Sequence, residues 1–443
     1  MNAVTELSQL AATLGEQPAG PPVPENLAET GLPESLLEDL VLKTLYYRGD
    51  TLGRDLSQAL GLKFSVIEHI VEMQKREHLV AAKRSLGLGA VSTIYTLSDN
   101  GRIRAREVME SNQYVGRAPV PLEQYTKMVN QQRLKDSWLT MEALQDAFRH
   151  MVVTPQLLSM IGPAVNAGKS FLIYGPPGNG KTYLAEALFN LESEMIYVPH
   201  AIECQGMIIQ VFDPVHHHPV VEQEHSSMAI AFESAHDRRW ERCRRPFITI
   251  GGELAMDMLD LSYNPFSKLY DAPLQVKANN GIYLIDDFGR QKATPAEVLN
   301  RWIVPMERRI DYLSFQNGTK MHVPFECFLI FSSNLKPENL GDEAFLRRIQ
   351  YKMLLKNPAE DEFTEIFLRF CKAKQLPCEP EMVDRFLEKH YRATGKPRRR
   401  CHPRDVLNHA VDLIRFERRP WELTEEVLEH AFGTCFVDTA DEG

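Results

Sequence analysis

The sequence predicts an α/β protein: a core with a parallel sheet, a helical region after it, and a small α+β domain before it. Three observations predict this. Apolar strand-like runs alternate with helical patterns from about Ser137 to Asn357, the pattern of parallel strands with crossover helices. From Pro358 onward the periodicity is helical, as in VDRFLEKHYRATG, PRDVLNHAVDLIRFERR and TEEVLEHAFG. Ahead of the sheet, three short helical runs and a Gly-containing hairpin fill residues 35–110.

Taken in order, residues 1–34 are rich in Pro and Glu, with little to bury, and predict a disordered tail. Residues 35–110 read as helix (ESLLEDLVLKTLYY), helix (TLGRDLSQALG), helix (KFSVIEHIVEMQKREHLV), hairpin, helix, the outline of a winged-helix domain. In the third helix Val66, Ile67, Ile70 and Val71 should face the core and Glu68 and Glu72 the solvent. Two carboxylates there oppose contact with DNA phosphates, while Lys75, Arg76, Lys83, Arg84, Arg102, Arg104 and Arg106 favour it. Residues 111–136 are polar, contain proline, and predict a linker. Residues 137–357 form the α/β core and 358–443 the helical region.

The bounds agree with this division. A chain of 443 residues exceeds one ordinary core. No apolar run is long enough to span a bilayer, and the start lacks the features of a secretory signal. Seven cysteines, odd in number and without a C-x-x-C pair, predict reduced thiols and a cytoplasmic protein. The net charge of -10 argues against wholesale nucleic-acid coating. Residues 1–40 carry seven acids and no Lys or Arg, so the remainder is closer to neutral.

The chemistry begins at Gly175-Pro176-Pro177-Gly178-Asn179-Gly180-Lys181-Thr182, followed by Tyr183. The run fits G-x-x-x-x-G-K-[ST] between a predicted strand, Phe171–Tyr174, and a predicted helix. Glycines let backbone N–H groups curl around phosphate oxygens, and the helix start adds partial positive charge. Lys181 can reach the β- and γ-phosphates and Thr182 can ligate Mg²⁺. Binding alone does not hydrolyse. GIYLIDDFGR supplies an apolar strand ending in Asp286-Asp287. Asp286 is placed to hold Mg²⁺ and Asp287 to orient water. The strand FECFLIFSSN ends in Asn334, either a contact to the γ-phosphate or water, or a turn-forming Asn. Arg347 and Arg348 are either a guanidinium pair aimed at a neighbouring subunit's nucleotide or a solvated pair. Arg404, at the start of a later helix, either reaches back to the nucleotide or caps the helix.

In this order the motifs resemble those of an AAA+ ATPase, from about Ser137 to the C-terminus. The resemblance implies Lys181 and Thr182 as the Walker A pair and Asp286 as the Walker B acid. It implies Asn334 as sensor 1, Arg348 or Arg347 as a finger acting in trans, and Arg404 as sensor 2. ATP and Mg²⁺ are the implied ligands, and a ring, hexameric by resemblance, the implied assembly. One departure stands out. The family has Asp-Glu where this chain has Asp286-Asp287, one methylene shorter, so slow turnover or a nucleotide switch is an alternative. The Ala and Gly ahead of the acid-bearing strand, and the hairpin signal at Asn317-Gly318, resemble the subgroup with a β-hairpin before sensor 1. In that subgroup such hairpins project toward a pore or substrate. The expected activity is ATP hydrolysis that remodels a macromolecule, protein rather than DNA, with a DNA-acting motor as the alternative.

Other features carry more than one reading. His216, His217, His218 and His225 are a loop or a metal site. Arg238, Arg239, Arg242, Arg244 and Arg245 around Trp240 are a solvated helix face, an intersubunit surface, or a phosphate contact. GKPRRRC, residues 395–401, is a basic loop near the nucleotide or a surface loop.

Overall fold

The computed structural model describes residues 20–133, 139–189, 195–220, 236–341 and 343–436. First in the chain come α1 (Leu27–Thr30), α2 (Glu34–Arg48), β1 (Thr51–Leu52), α3 (Gly53–Leu60), α4 (Phe64–Arg76), β2 (Val80–Ser85), β3 (Thr93–Leu97) and α5 (Asp99–Met109). The three strands pair antiparallel in the order β1–β3–β2. On α4, Val66, Ile67, Ile70 and Val71 are buried, as their spacing predicts, and Glu68 is exposed. Each fully buried aliphatic side chain contributes roughly 1.5–3 kcal/mol against exposure. The same core takes in Ala201, Ile208 and Leu269, which lie far along the chain.

Those three residues belong to a second sheet. After β4 (Val120–Pro121), α6 (Leu122–Gln131), α7 (Met141–Ala147), α8 (Pro155–Ala167), β5 (Ser170–Tyr174) and α9 (Lys181–Phe189) come β6 (Ile196–Pro199), β7 (Ala201–Cys204), β8 (Met207–Gln210), β9 (Trp240–Cys243), β10 (Phe247–Ile250), β11 (Ser262–Asn264) and β12 (Leu269–Asp271). Strands β11–β12–β8–β7–β4 form one mixed sheet, and β6 pairs with β9. Residues 111–136 are therefore not simply a linker, because β4 and α6 are built into this region. Tyr125, Met128 and Val129 pack in its core, where residue-by-residue polarity concealed an amphipathic helix.

The predicted tail also needs correction. Residues 1–19 lie outside the described residues, but 20–34 form a strap. Pro21 O accepts from Asp237 N at 3.0 Å, Thr30 O accepts from Arg239 Nη1 at 2.9 Å, and Leu32 enters the N-terminal core. Its few apolar residues are enough because backbone carbonyls supply the rest of the anchorage. The arginine-rich stretch is not a solvated helix face either. It contains strand β9, and Arg239 is 1% exposed. Its guanidinium pairs with Asp237 at 2.9 Å and donates to Pro119 O and Gln124 Oε1. Arg245 is buried too, donating to Gln132 O and Asn280 O. For Arg239 the cost of burying the charge is offset by the Asp237 carboxylate and the acceptors at Thr30, Pro119 and Gln124.

The chain continues through α10 (Leu274–Lys277), β13 (Ile282–Ile285), α11 (Pro295–Arg308), β14 (Ile310–Ser314), β15 (Lys320–Pro324), β16 (Phe328–Ser333), α12 (Glu343–Leu346) and β17 (Tyr351–Leu354). The central sheet is parallel throughout, in the order β10–β13–β16–β5–β17. Its strands are apolar on both faces because packed cores lie on each side. Helix α11 opens with a Thr294–Glu297 capping box and Pro295 in its first turn. The hairpin β14–β15 forms as Asn317-Gly318 predicts, with Gly318 in the left-handed region at φ +84°. It does not stand clear of the body. Leu313, Met321 and Val323 on one face are buried in the core of the inserted sheet, leaving Ile310, Tyr312 and His322 outward.

Where the insert meets the central sheet, Asn279 and Asn280 precede β13. Asn279 Nδ2 donates to Tyr125 Oη at 2.8 Å and Pro324 O at 2.9 Å, and its Oδ1 accepts from Glu326 N. Asn280 Nδ2 donates to Val129 O at 2.8 Å. Helix α6, the end of the hairpin and the base of β13 thus share one buried polar junction. The C-terminal region is helical: α13 (Glu360–Ala373), α14 (Pro380–Leu387), α15 (His402–Phe416) and α16 (Glu425–Cys435). They close on Phe363, Phe367, Leu387, Leu407, Val411 and Leu428. Among the described residues no helix is long and apolar enough to cross a membrane.

Candidate functional site

Strands β13, β16 and β5 are neighbours in the sheet, so their C-terminal ends deliver Asp286-Asp287, Asn334 and the glycine-rich loop to one edge. Loops at that edge of a parallel sheet are where such folds place ligands. Lys181 opens α9 and is 7% exposed. Its Nζ donates to Gly175 O at 3.0 Å, Pro176 O at 3.1 Å and Asn334 Oδ1 at 2.6 Å. Burial lowers its pKa, against the upward pull of the Asp287 and Asp286 carboxylates.

Thr182 Oγ1 donates to Asp286 Oδ2 at 2.8 Å, and Asp286 is itself fixed by its N–H to Ile250 O, also 2.8 Å. Asp287 has φ +49°, a left-handed conformation that Asp tolerates through its short polar side chain. Phe288 N, donating to Ser332 O at 2.7 Å, holds the turn. Asp287 Oδ1 then accepts from Asn334 Nδ2 at 2.7 Å. Five of the expected residues, Lys181, Thr182, Asp286, Asp287 and Asn334, are brought into one hydrogen-bonded chain.

The loop between β5 and α9 needs its glycines for two separate reasons. A Cβ on Gly175, at φ +147°, would lie 2.3 Å from Leu355 O. One on Gly178, at φ +78°, would lie 2.7 Å from Cys401 Sγ. Pro176 and Pro177 stiffen the turn, and Gly180 has open space where a Cβ would stand. Tyr183 is 50% exposed and packs edge-on against His150.

The remaining expected residues fare differently. Arg404 is exposed and its guanidinium pairs with its neighbour Asp405 at 2.9 Å, so it does not reach the loop in this arrangement. The short span between its helix position and Asp405 favours that local pair. Arg348 is half-buried and pairs with Glu307 of α11 at 2.8 Å, whereas Arg347 is exposed. His217 is buried, its Nδ1 accepting from Asp213 N and its Nε2 facing Lys277 O at 2.9 Å. It is a packed core histidine, and among the described residues no group of three or more His, Cys, Asp and Glu side chains is placed to hold a metal ion. His225 lies outside the described residues.

Residues 399–401, in the run read as a basic loop near the nucleotide or a surface loop, touch the loop 175–182, and so does Asn357, which sequence reasoning missed. Arg399 Nη1 donates to Pro177 O at 2.8 Å, Cys401 N donates to Gly178 O at 2.9 Å, and Asn357 Oδ1 accepts from Asn179 Nδ2 at 2.8 Å. The run of three arginines was the available signal, and of its two readings the structure brings residues 399–401 against the loop.

Among known families, a domain of unknown function, DUF8689, matches residues 359–434, which span the C-terminal helices. No curated protein matches the chain. Among solved structures, NtrX from Brucella abortus is 12% identical with a TM-score of 0.35. The match covers 74% of this chain and 61% of that one, so this chain spans less than two thirds of its length.

Proposed function

We propose that this chain is an AAA+-type ATPase that binds ATP with Mg²⁺ at the loop 175–182 and hydrolyses it to remodel a macromolecule. The observation that carries the reading is the convergence of Lys181, Thr182, Asp286, Asp287 and Asn334 at adjacent strand ends. Lys181 now uses the carbonyls of its own loop as acceptors, and phosphate oxygens are stronger ones for an ammonium. The Thr182 hydroxyl and Asp286 carboxylate, 2.8 Å apart, are the hard oxygen donors that suit Mg²⁺. When bound, the ion neutralises charge on the transferring phosphoryl group. Asp287 orients the attacking water, with Asn334 fixing its carboxylate. Arg347, exposed where Arg348 is held by Glu307, is the better candidate to reach a neighbouring subunit. Arg399 replaces Arg404 as the arginine nearest the loop.

The residues 35–110 act in this reading as a winged-helix docking domain for protein. Glu68 is exposed on α4, Glu72 pairs with Lys75, and Lys83 pairs with Asp50, so the basic residues near the wing are partly neutralised. A second reading, a slow nucleotide switch, draws on the short Asp287 carboxylate being engaged by Asn334.

Steady-state ATP hydrolysis across protein concentration, with Lys181→Ala alongside, tests the proposal. Specific activity that rises with concentration and is abolished in Lys181→Ala supports an assembled ATPase. Tight ATP binding with no turnover at any concentration supports the switch. No ATP binding sinks both.

A further inference from the structure

Asn179 sits in a loop made otherwise of glycine and proline before Lys181, yet it is 1% exposed. Its carboxamide spans two parts of the molecule. Nδ2 donates to Asn357 Oδ1 at 2.8 Å, and Oδ1 accepts from Arg400 N at 3.2 Å. Asn357 follows β17 and precedes Pro358 and α13, so it stands where the central sheet gives way to the helical region. Either side of Arg400, Arg399 holds Pro177 O and Cys401 holds Gly178 O. Arg400 is itself fixed, donating to Val152 O at 2.7 Å and pairing with Glu362 at 2.9 Å.

These contacts have a geometric consequence. In a planar trans peptide the C=O and the next N–H point in opposite directions. Turning the Pro177 and Gly178 carbonyls toward residues 399–401 turns the Gly178 and Asn179 N–H groups away from them, free for a ligand. The helical region therefore sets the orientation of the cradle, and Asn179 sets where that region sits.

We propose that Asn179 and Asn357 form a positioning clasp that holds residues 399–401 on the loop and pre-orients its N–H groups for phosphate. The clasp rests on the nucleotide reading only for the identity of the ligand; the contact itself can be tested without one.

The test is hydrogen exchange in the full chain, read on peptides covering residues 396–405 and 175–181, with and without ADP. Asn357→Ala removes the acceptor and Asn357→Asp keeps one. Without ADP, exchange of both segments should quicken about tenfold in Asn357→Ala and stay close to wild type in Asn357→Asp. ADP affinity should weaken several-fold in the first and recover in the second. Where Asn357→Ala fails to fold, Asn357→Ser, too short to reach, carries the same expectation. Unchanged exchange in the variant lacking the acceptor, or equal ADP affinity in the Ala and Asp variants, overturns the clasp. Quickened exchange in chains of which none, wild type included, binds ADP keeps the clasp and overturns the nucleotide reading.

Discussion

Asn334 donates to the Asp287 carboxylate at 2.7 Å while its other carboxamide atom accepts from Lys181 at 2.6 Å. One amide thus sits between the ammonium and the proposed water-orienting acid, and prevents them from closing into a direct ion pair. Replacing it separates binding from chemistry. Asn334→Ala should lower turnover by about 10²-fold, the scale of losing one preorganised polar contact in a reaction site. Labelled-ADP affinity should change far less. Equal losses in both would mean that Asn334 only supports the loop.

The two adjacent arginines should behave differently. Arg348 pairs with Glu307 within its own chain, and Arg347 is exposed. Arg347→Ala should reduce ATP turnover at saturating protein concentration without shifting the melting temperature. Arg348→Ala should lower the melting temperature by a few degrees. The reverse pattern would return the in-trans role to Arg348.

Arg239 is the most deeply buried cation of the inserted region, and Asp237 beside it is 1% exposed. Arg239→Ala leaves that carboxylate uncompensated and should cost about 3–5 kcal/mol in denaturant unfolding. Arg239→Lys should recover little of it, because a point charge cannot serve Asp237, Thr30, Pro119 and Gln124 together. A loss under about 1 kcal/mol would show that the strap and insert hold without the guanidinium.

How much of this was legible in the sequence follows from the range of the interactions. The loop 175–182 is contiguous, and its meaning lies in local backbone geometry. Asp286 and Asn334 end apolar strands, so their placement followed once the sheet was read as parallel. Arg239 could not be read this way. Its partners at Thr30, Pro119 and Gln124 are two backbone carbonyls and one amide, distant in sequence and unremarkable in type. The same holds for the strap at 20–34, which is anchored by backbone more than by side chains. Arg404 kept its two readings in the sequence, because a helix start says nothing of whether the side chain is aimed or paired with Asp405 beside it.

Two buried histidines give the fold a pH dependence. Burial lowers the pKa of His217 to about 4, and burial, helped by Arg399, does the same for His402. Unfolded, each titrates near 6.5. Between those values the unfolded chain binds the protons and the folded chain does not, so stability is full above pH 6.5 and falls as pH drops toward 4. Thermal melts from pH 7.5 to 4.5 should show a steady decline. His402→Phe, which also gives up the contact to Tyr391, should flatten part of that slope. A slope identical to wild type would mean that His402 is not held neutral.

The junction at Asn279 and Asn280 makes the strand that carries Asp286 and Asp287 the stem of a lever. Helix α6, the hairpin and the inserted sheet are all fastened to the root of that stem, and the N-terminal domain shares a core with the sheet. A small tilt at the stem would swing the whole arm, with the greatest travel at its far end. In the ATPase proposed above, a stroke would then be delivered by the N-terminal domain, with the hairpin as a strut.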